Sequence, residues 1–191
     1  MILAFLLGTI ARNEVWRSSV RLWTDVVEQS PHKPRGWINL GQAYEKQGDL
    51  GRALDMYQMA ERVSLEPEVD PHQRLITELL VGMNISDILM RTGHEEEAHQ
   101  ILKQAWLAHP GFPGFAINLS VFYIQEGYPE KAIPFLTEGI AQELNYPWFT
   151  ETAILYLNRA EAYRLSGNCS AAAADYAVMR QFPRMPAMPT C

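Results

Sequence analysis

The sequence predicts an all-α solenoid of stacked helix-turn-helix units, and three observations lead there. A Gly is followed five residues later by Ala and four further on by a large side chain, as in Gly48, Ala53 and Tyr57. This spacing returns with Gly93, Ala98 and Leu102, with Gly127, Ala132 and Leu136, and with Gly167, Ala172 and Tyr176. The glycines lie 45, 34 and 40 residues apart, which fits a helix-turn-helix period of ~34 residues carrying insertions.

Each recurrent residue has a mechanical reason. Trp37, Leu40, Gly41 and Tyr44 are spaced by three and four, so they share one helical face and form a core stripe. Gly41 allows a neighbouring helix to approach closely, and Gly48 supplies the backbone freedom of a helix C-cap. Ala53 and Ala60 let the second helix pack tightly on the first, with Tyr57 filling the space between them. Pro67, Pro71 and Pro147 fall in the two insertions, where proline interrupts a helix and permits a longer connection. Pro134 falls inside a predicted helix and should kink it or tighten its first turns.

In chain order, residues 1–33 form an N-terminal helix pair, read as either a degenerate repeat or a membrane-helix stump leading into the helix that ends before Pro31. Four units follow at 34–67, 68–111 (with an extended first helix), 112–147 and 148–182. Residues 183–191, with three prolines in nine residues, form a flexible tail.

Composition sets the outer limits. The chain has 191 residues, 48% hydrophobic and 20% charged, enough for a sizeable buried core. Its net charge of −6 argues against nucleic acid as a partner. Two cysteines, Cys169 and Cys191, allow one bridge in an oxidising compartment and no Cys-rich metal site. His94 and His99 flank three glutamates, but on a helix they point about 140° apart, which does not suit a shared metal. Glu95, Glu96 and Glu97 instead favour the positive N-terminus of a helix. No phosphate loop, nucleophile elbow or paired-Cys motif occurs, so neither an enzyme nor a cofactor is expected. Three sequons begin at Asn84, Asn118 and Asn168; only Asn168 falls in a predicted loop.

Trp37, Leu40, Gly41, Tyr44, Ala53, Tyr57 and Ala60 together resemble the tetratricopeptide repeat (TPR). Weaker copies follow in Ile85, Ser86, Leu89, Ala98, Leu102, Ala105 and Pro110, in Leu119, Ser120, Tyr123, Ala132, Leu136 and Gly139, and in Ala160, Tyr163, Ala172, Tyr176 and Met179. Arg159 departs from the pattern by standing where the fourth copy should have Leu. The resemblance implies a right-handed superhelix whose first helices line a concave face used for protein or peptide ligands.

On that face Asn39, Asn84, Asn118 and Asn158 recur at one repeat position. Such a row can satisfy the main chain of an extended peptide, or each Asn can bond a neighbouring helix. Clamps for acidic chain ends in this family need basic residues beside the asparagines. Here the neighbours are Ile38, Met83, Ile117 and Leu157, so the expected ligand is an extended, partly apolar polypeptide. Gln42, Asp87, Arg91, Gln125, Glu161 and Arg164 complete the candidate binding face.

The first ten residues, MILAFLLGTI, are strongly apolar but shorter than the ~20 needed to span a bilayer. A buried first helix, the end of a membrane helix and an atypical signal remain as readings. Arg12-Asn13, Trp16, Leu22-Trp23 and Pro31 resemble the junction before the TPR region of multispanning membrane glycosyltransferases. That resemblance implies membrane attachment through residues 1–10 with extracytoplasmic repeats, as opposed to a cytoplasmic chain. It also implies an acceptor-binding region as the alternative to a general interaction scaffold, with the transfer chemistry elsewhere.

Overall fold

A computed structural model describes residues 18–148 and 151–179. The helix expected within residues 1–13, the apolar first ten residues and the tail lie outside the described residues.

Among the described residues there are nine α-helices and no strand. They are α1 (Ser19–Gln29), α2 (Pro34–Lys46), α3 (Leu50–Ser64), α4 (Pro71–Arg91) and α5 (Glu95–Ala108), then α6 (Pro113–Gln125), α7 (Pro129–Gln142), α8 (Thr152–Leu165) and α9 (Cys169–Met179). One 3-10 turn, Glu143–Asn145, follows α7. The chain divides into two compact units, residues 1–88 and 89–191, with the division in the last turn of α4.

The turn glycines explain the regularity. Gly48, Gly93, Gly127 and Gly167 all adopt left-handed φ values, from 76° to 80°, a region that costs a side-chain-bearing residue ~1–2 kcal/mol. Each turn closes through the same long-range bond: Asp49 N–H to Tyr44 O, His94 N–H to Leu89 O, Tyr128 N–H to Tyr123 O and Asn168 N–H to Tyr163 O, at 2.8–3.0 Å. A donor reaching five residues back across a left-handed residue caps the orphan carbonyls of the preceding helix. The next helix then starts at once. In α3 the Asp49 side chain accepts from Arg52 N–H at 3.1 Å, and in α9 Asn168 accepts from Ala171 N–H at 3.2 Å. Asn168, the one sequon in a loop, is thus a helix cap.

In the first unit Ala53, Tyr57 and Ala60 of α3 are fully buried and pack with Ile38, Val81 and Ile88. The Tyr57 ring lies against Gly41, where an added Cβ would fall 2.6 Å from Cε1. The Tyr57 hydroxyl donates to Glu45 at 3.0 Å, which meets the polar tip of an otherwise apolar plug. Pro71 does not interrupt a helix. It is the first residue of α4, a position where its missing N–H costs nothing.

The second unit repeats this packing with Ala116, Ala132, Leu136, Leu155 and Ala162, and ends in a cluster of Ala160, Ala172, Tyr176 and Met179. Pro134 sits inside α7 and cannot supply the N–H that the carbonyl four residues earlier would accept. The three glutamates occupy the first turn of α5 as expected. The Pro147 insertion folds back on the α5–α6 turn: Tyr146 and Trp148 place their rings 5.1 and 5.8 Å from Phe112, which is fully buried. Cys169 is in a disulfide; the other cysteine, Cys191, lies outside the described residues.

Candidate functional site

The site builds from two helices of the first unit. On α2, Arg35, Ile38, Asn39 and Gln42 stand at i, i+3, i+4 and i+7, one continuous stripe. On α4, Gln73, Ile76, Thr77 and Leu80 form the matching stripe, which continues toward Asn84 and Asp87. The N-terminal halves of these helices enclose a cleft of about 290 Å³ lined by Lys33, Pro34, Arg35, Ile38, Gln73, Ile76, Thr77 and Leu80. Ligand clefts commonly run from ~300 to 1,000 Å³, so this one suits a single side chain better than a cofactor.

The floor of the cleft is apolar. Ile38, expected to flank a groove, is only 2% exposed and belongs to the core of the unit while closing the bottom of the cleft. Thr77 is buried, and its hydroxyl donates to Gln73 O at 2.8 Å. The rim is polar, with Lys33, Arg35 and Gln73 exposed. Behind it the α3–α4 connection is fixed by Arg74, which donates from Nε to Ser64 O at 2.9 Å, and by His32 against Glu66 at 2.8 Å.

The four asparagines have different surroundings. Asn39 and Gln42 are half-buried on α2, and neither side chain has a hydrogen-bond partner among the described residues. Asn84 is 9% exposed, and its amide nitrogen is buried with no partner. Asn118 is half-buried on α6. Asn158 on α8 donates to the Ser120 hydroxyl of α6 at 2.9 Å, so at this rung the Asn bonds a neighbouring helix.

Ser120 and Gly41 occupy the same repeat position, two residues after Asn118 and Asn39. Ser120 gives Asn158 its acceptor, whereas Gly41 carries no hydroxyl and the Asn84 amide nitrogen has no acceptor.

The remaining candidates are dispersed. Asp87 is half-buried and Arg91 exposed on α4, and Gln125 is exposed at the end of α6. Glu161 and Arg164 are engaged with each other, with Arg164 Nε donating to Glu161 at 2.8 Å. That hydrogen bond holds the Glu161 carboxyl below its usual range, against a smaller opposing effect of burial.

His94 and His99 part company. His94 meets the Thr92 hydroxyl, whereas His99 stacks on Phe122 at 4.1 Å and contacts the Tyr123 hydroxyl at 3.1 Å. Sequence reasoning missed the cationic rim at Lys33 and Arg35, although the helix start at Pro34 makes both legible as positive charge at the wrong helix end, Lys33 as N-cap and Arg35 in the first turn. It also missed the Arg159–Asp175 pair, in which Arg159 Nε and Nη2 donate to the two carboxylate oxygens at 2.8 and 2.7 Å.

Helix pairs of this length, closed by left-handed glycines and packed through small-residue positions, define an all-α tetratricopeptide-repeat fold. The tetratricopeptide-repeat family profile matches residues 11–66 and so takes in α1, α2 and α3. No curated protein matches the chain. Among solved structures, the chain is similar to the APC/C hetero-tetramer Cut9-Hcn1, with a TM-score of 0.64 and 18% identity over 85% of this chain. It spans 29% of the length of that chain. It is also similar to YrrB, described as a TPR protein with an unusual peptide-binding site, with a TM-score of 0.52 and 16% identity over 93% of this chain and 81% of that one. At these identities the likeness is one of fold. Among the described residues no helix is long and apolar enough to cross a membrane.

Proposed function

We propose that the chain is a non-catalytic interaction scaffold that binds an extended polypeptide along the stripe shared by α2 and α4. One observation carries this reading: Asn39 and Gln42, half-buried and without hydrogen-bond partners among the described residues, continue the helical face that lines the cleft. Half-buried amides with no partner in the protein keep both donors and acceptors available for a ligand's main chain. The peptide-binding site ascribed to YrrB is consistent with such use of this fold.

The test is to select binders from a random peptide display library on the full chain, then titrate one of them into wild type and into the Asn39→Ala, Gln42→Ala double variant. Loss of ~1–3 kcal/mol is expected. Equal affinity for both proteins, or no binder at all, defeats the reading.

A second reading follows from the first ten residues and the Arg12-Asn13, Trp16 junction: the repeats stand beside a membrane, outside the cytoplasm, as the acceptor-binding region of a glycosyltransferase. Fractionation of the full chain with and without residues 1–11 tests it. A chain that stays soluble and monodisperse, and unfolds once those residues are removed, speaks against membrane attachment.

A further inference from the structure

Lys33 and Arg35 occupy an electrostatically unfavourable place. Lys33 is the N-cap of α2 and Arg35 lies in its first turn, which contains no acidic residue. The N-terminus of a helix carries the positive end of its dipole, where a cation is disfavoured by ~0.3–1 kcal/mol. Neither side chain has an ion-pair partner among the described residues. Glu66 and Asp70, in the connection that leads into α4, are engaged elsewhere: Glu66 faces His32 at 2.8 Å, and Asp70 accepts the His72 and Gln73 N–H groups at the start of α4. Two uncompensated cations at the wrong helix end do not serve the stability of the fold, and local conflicts of this kind mark functional sites.

Both cations stand at the mouth of the cleft whose floor is Ile38, Ile76 and Leu80. From this juxtaposition we infer that the cleft is specific for an internal acidic–aliphatic segment of a partner protein. A leucine-sized side chain enters the cleft, and aspartate or glutamate side chains beside it in the partner's sequence meet Lys33 and Arg35. The inference rests on the scaffold reading above and names the chemistry of its ligand. The net charge of −6 does not oppose it, because charges beyond the ~8 Å screening length at physiological salt contribute little, while the two rim cations act at contact distance. Pairing a ligand carboxylate with them would also remove the unfavourable charge at the α2 N-terminus.

Calorimetric titration of the full chain with the acetylated, amidated nonapeptide Gly-Ser-Asp-Glu-Leu-Asp-Glu-Ser-Gly tests the inference, since the blocked ends leave only side-chain carboxylates. Binding is expected to weaken about tenfold or more when its leucine becomes alanine, when its acids become Asn and Gln, or when salt rises from about 50 to about 500 mM. The Lys33→Glu, Arg35→Glu variant, altered only at exposed positions and checked by circular dichroism, should lose the peptide. Lys33→Gln, Arg35→Gln should lose affinity with no fall in Tm. Undetectable binding of the acidic peptide, or charge-reversed protein that keeps its affinity, overturns the inference. Equal binding of the acidic and neutral peptides also overturns it while leaving the scaffold reading intact, whereas failure to select any peptide from the library removes the scaffold reading itself.

Discussion

Arg159 of α8 and Asp175 of α9 form a two-pronged ion pair in which the arginine is 16% and the aspartate 7% exposed. Arg159 stands where the repeat pattern calls for an apolar residue, and Asp175 supplies its counter-charge from the second helix of the same unit. The Arg159 guanidinium also reaches the Thr137 hydroxyl of α7 at 3.2 Å. Asp175→Ala should therefore destabilise the protein by about 3 kcal/mol, because it strands a largely buried cation. The double variant Arg159→Leu, Asp175→Leu should recover much of that loss. Urea unfolding of the three proteins decides it, and the idea fails if Asp175→Ala costs no more than an exposed pair would.

Gly41 of α2 and Tyr57 of α3 are in close contact. A methyl group at 41 would meet the ring at 2.6, 2.9 and 3.0 Å, against atoms of a fully buried tyrosine that has nowhere to move. Gly41→Ala should cost ~1–3 kcal/mol despite the better helix propensity of alanine. At Gly48 the same substitution meets no atom within 4 Å, and only the left-handed backbone opposes it, for ~1–2 kcal/mol. Combining Gly41→Ala with Tyr57→Phe should give little relief, since the clash is with the ring. Relief by more than half would point to the hydroxyl.

Asn84 carries a buried amide nitrogen without an acceptor. Asn84→Leu, close in size, should raise stability by about 1 kcal/mol, since an unmade buried hydrogen bond is removed along with its desolvation cost. A lower Tm for this variant would mean that the amide has a partner in solution, such as an ordered water.

His99 gives the fold a pH dependence. Burial is the largest influence holding its imidazole below the usual value of 6.5, and Lys103 adds to it; Lys131 acts in the same direction, while Glu96 and Glu126 oppose. The folded state thus disfavours the proton that the unfolded chain accepts near 6.5. The His99 contribution is complete above that pH and is lost as pH falls from there through the lower folded value. Between pH 7.5 and 5, wild type should lose more Tm than His99→Leu, and parallel losses in the two proteins would exclude His99 as the cause.

Legibility in the sequence followed distance along the chain. The turns at Gly48, Gly93, Gly127 and Gly167, and the plug of Ala53, Tyr57 and Ala60, depend on spacings within a dozen residues, and helical geometry turns such spacings directly into faces and caps. Pro71 as a helix start and the packing of Tyr146 and Trp148 on Phe112 are not legible in the sequence, because aromatic contacts across a turn leave no periodic trace. Arg159 was visible only as an exception, since its partner belongs to the facing helix.

The candidate site divides along the same line. The sequence by itself determined that first helices carry a recurrent Asn and a stripe of polar and apolar residues, because side-chain direction on a helix follows from position. Only the tertiary structure decided which Asn has an acceptor. Asn158 meets Ser120 while the Asn84 amide nitrogen has no acceptor, and that depends on what surrounds each side chain once the helices pack. The same pairing sets Lys33 and Arg35 over Ile76 and Leu80. Charge and burial there are properties of two helices brought together, which neither segment carries alone.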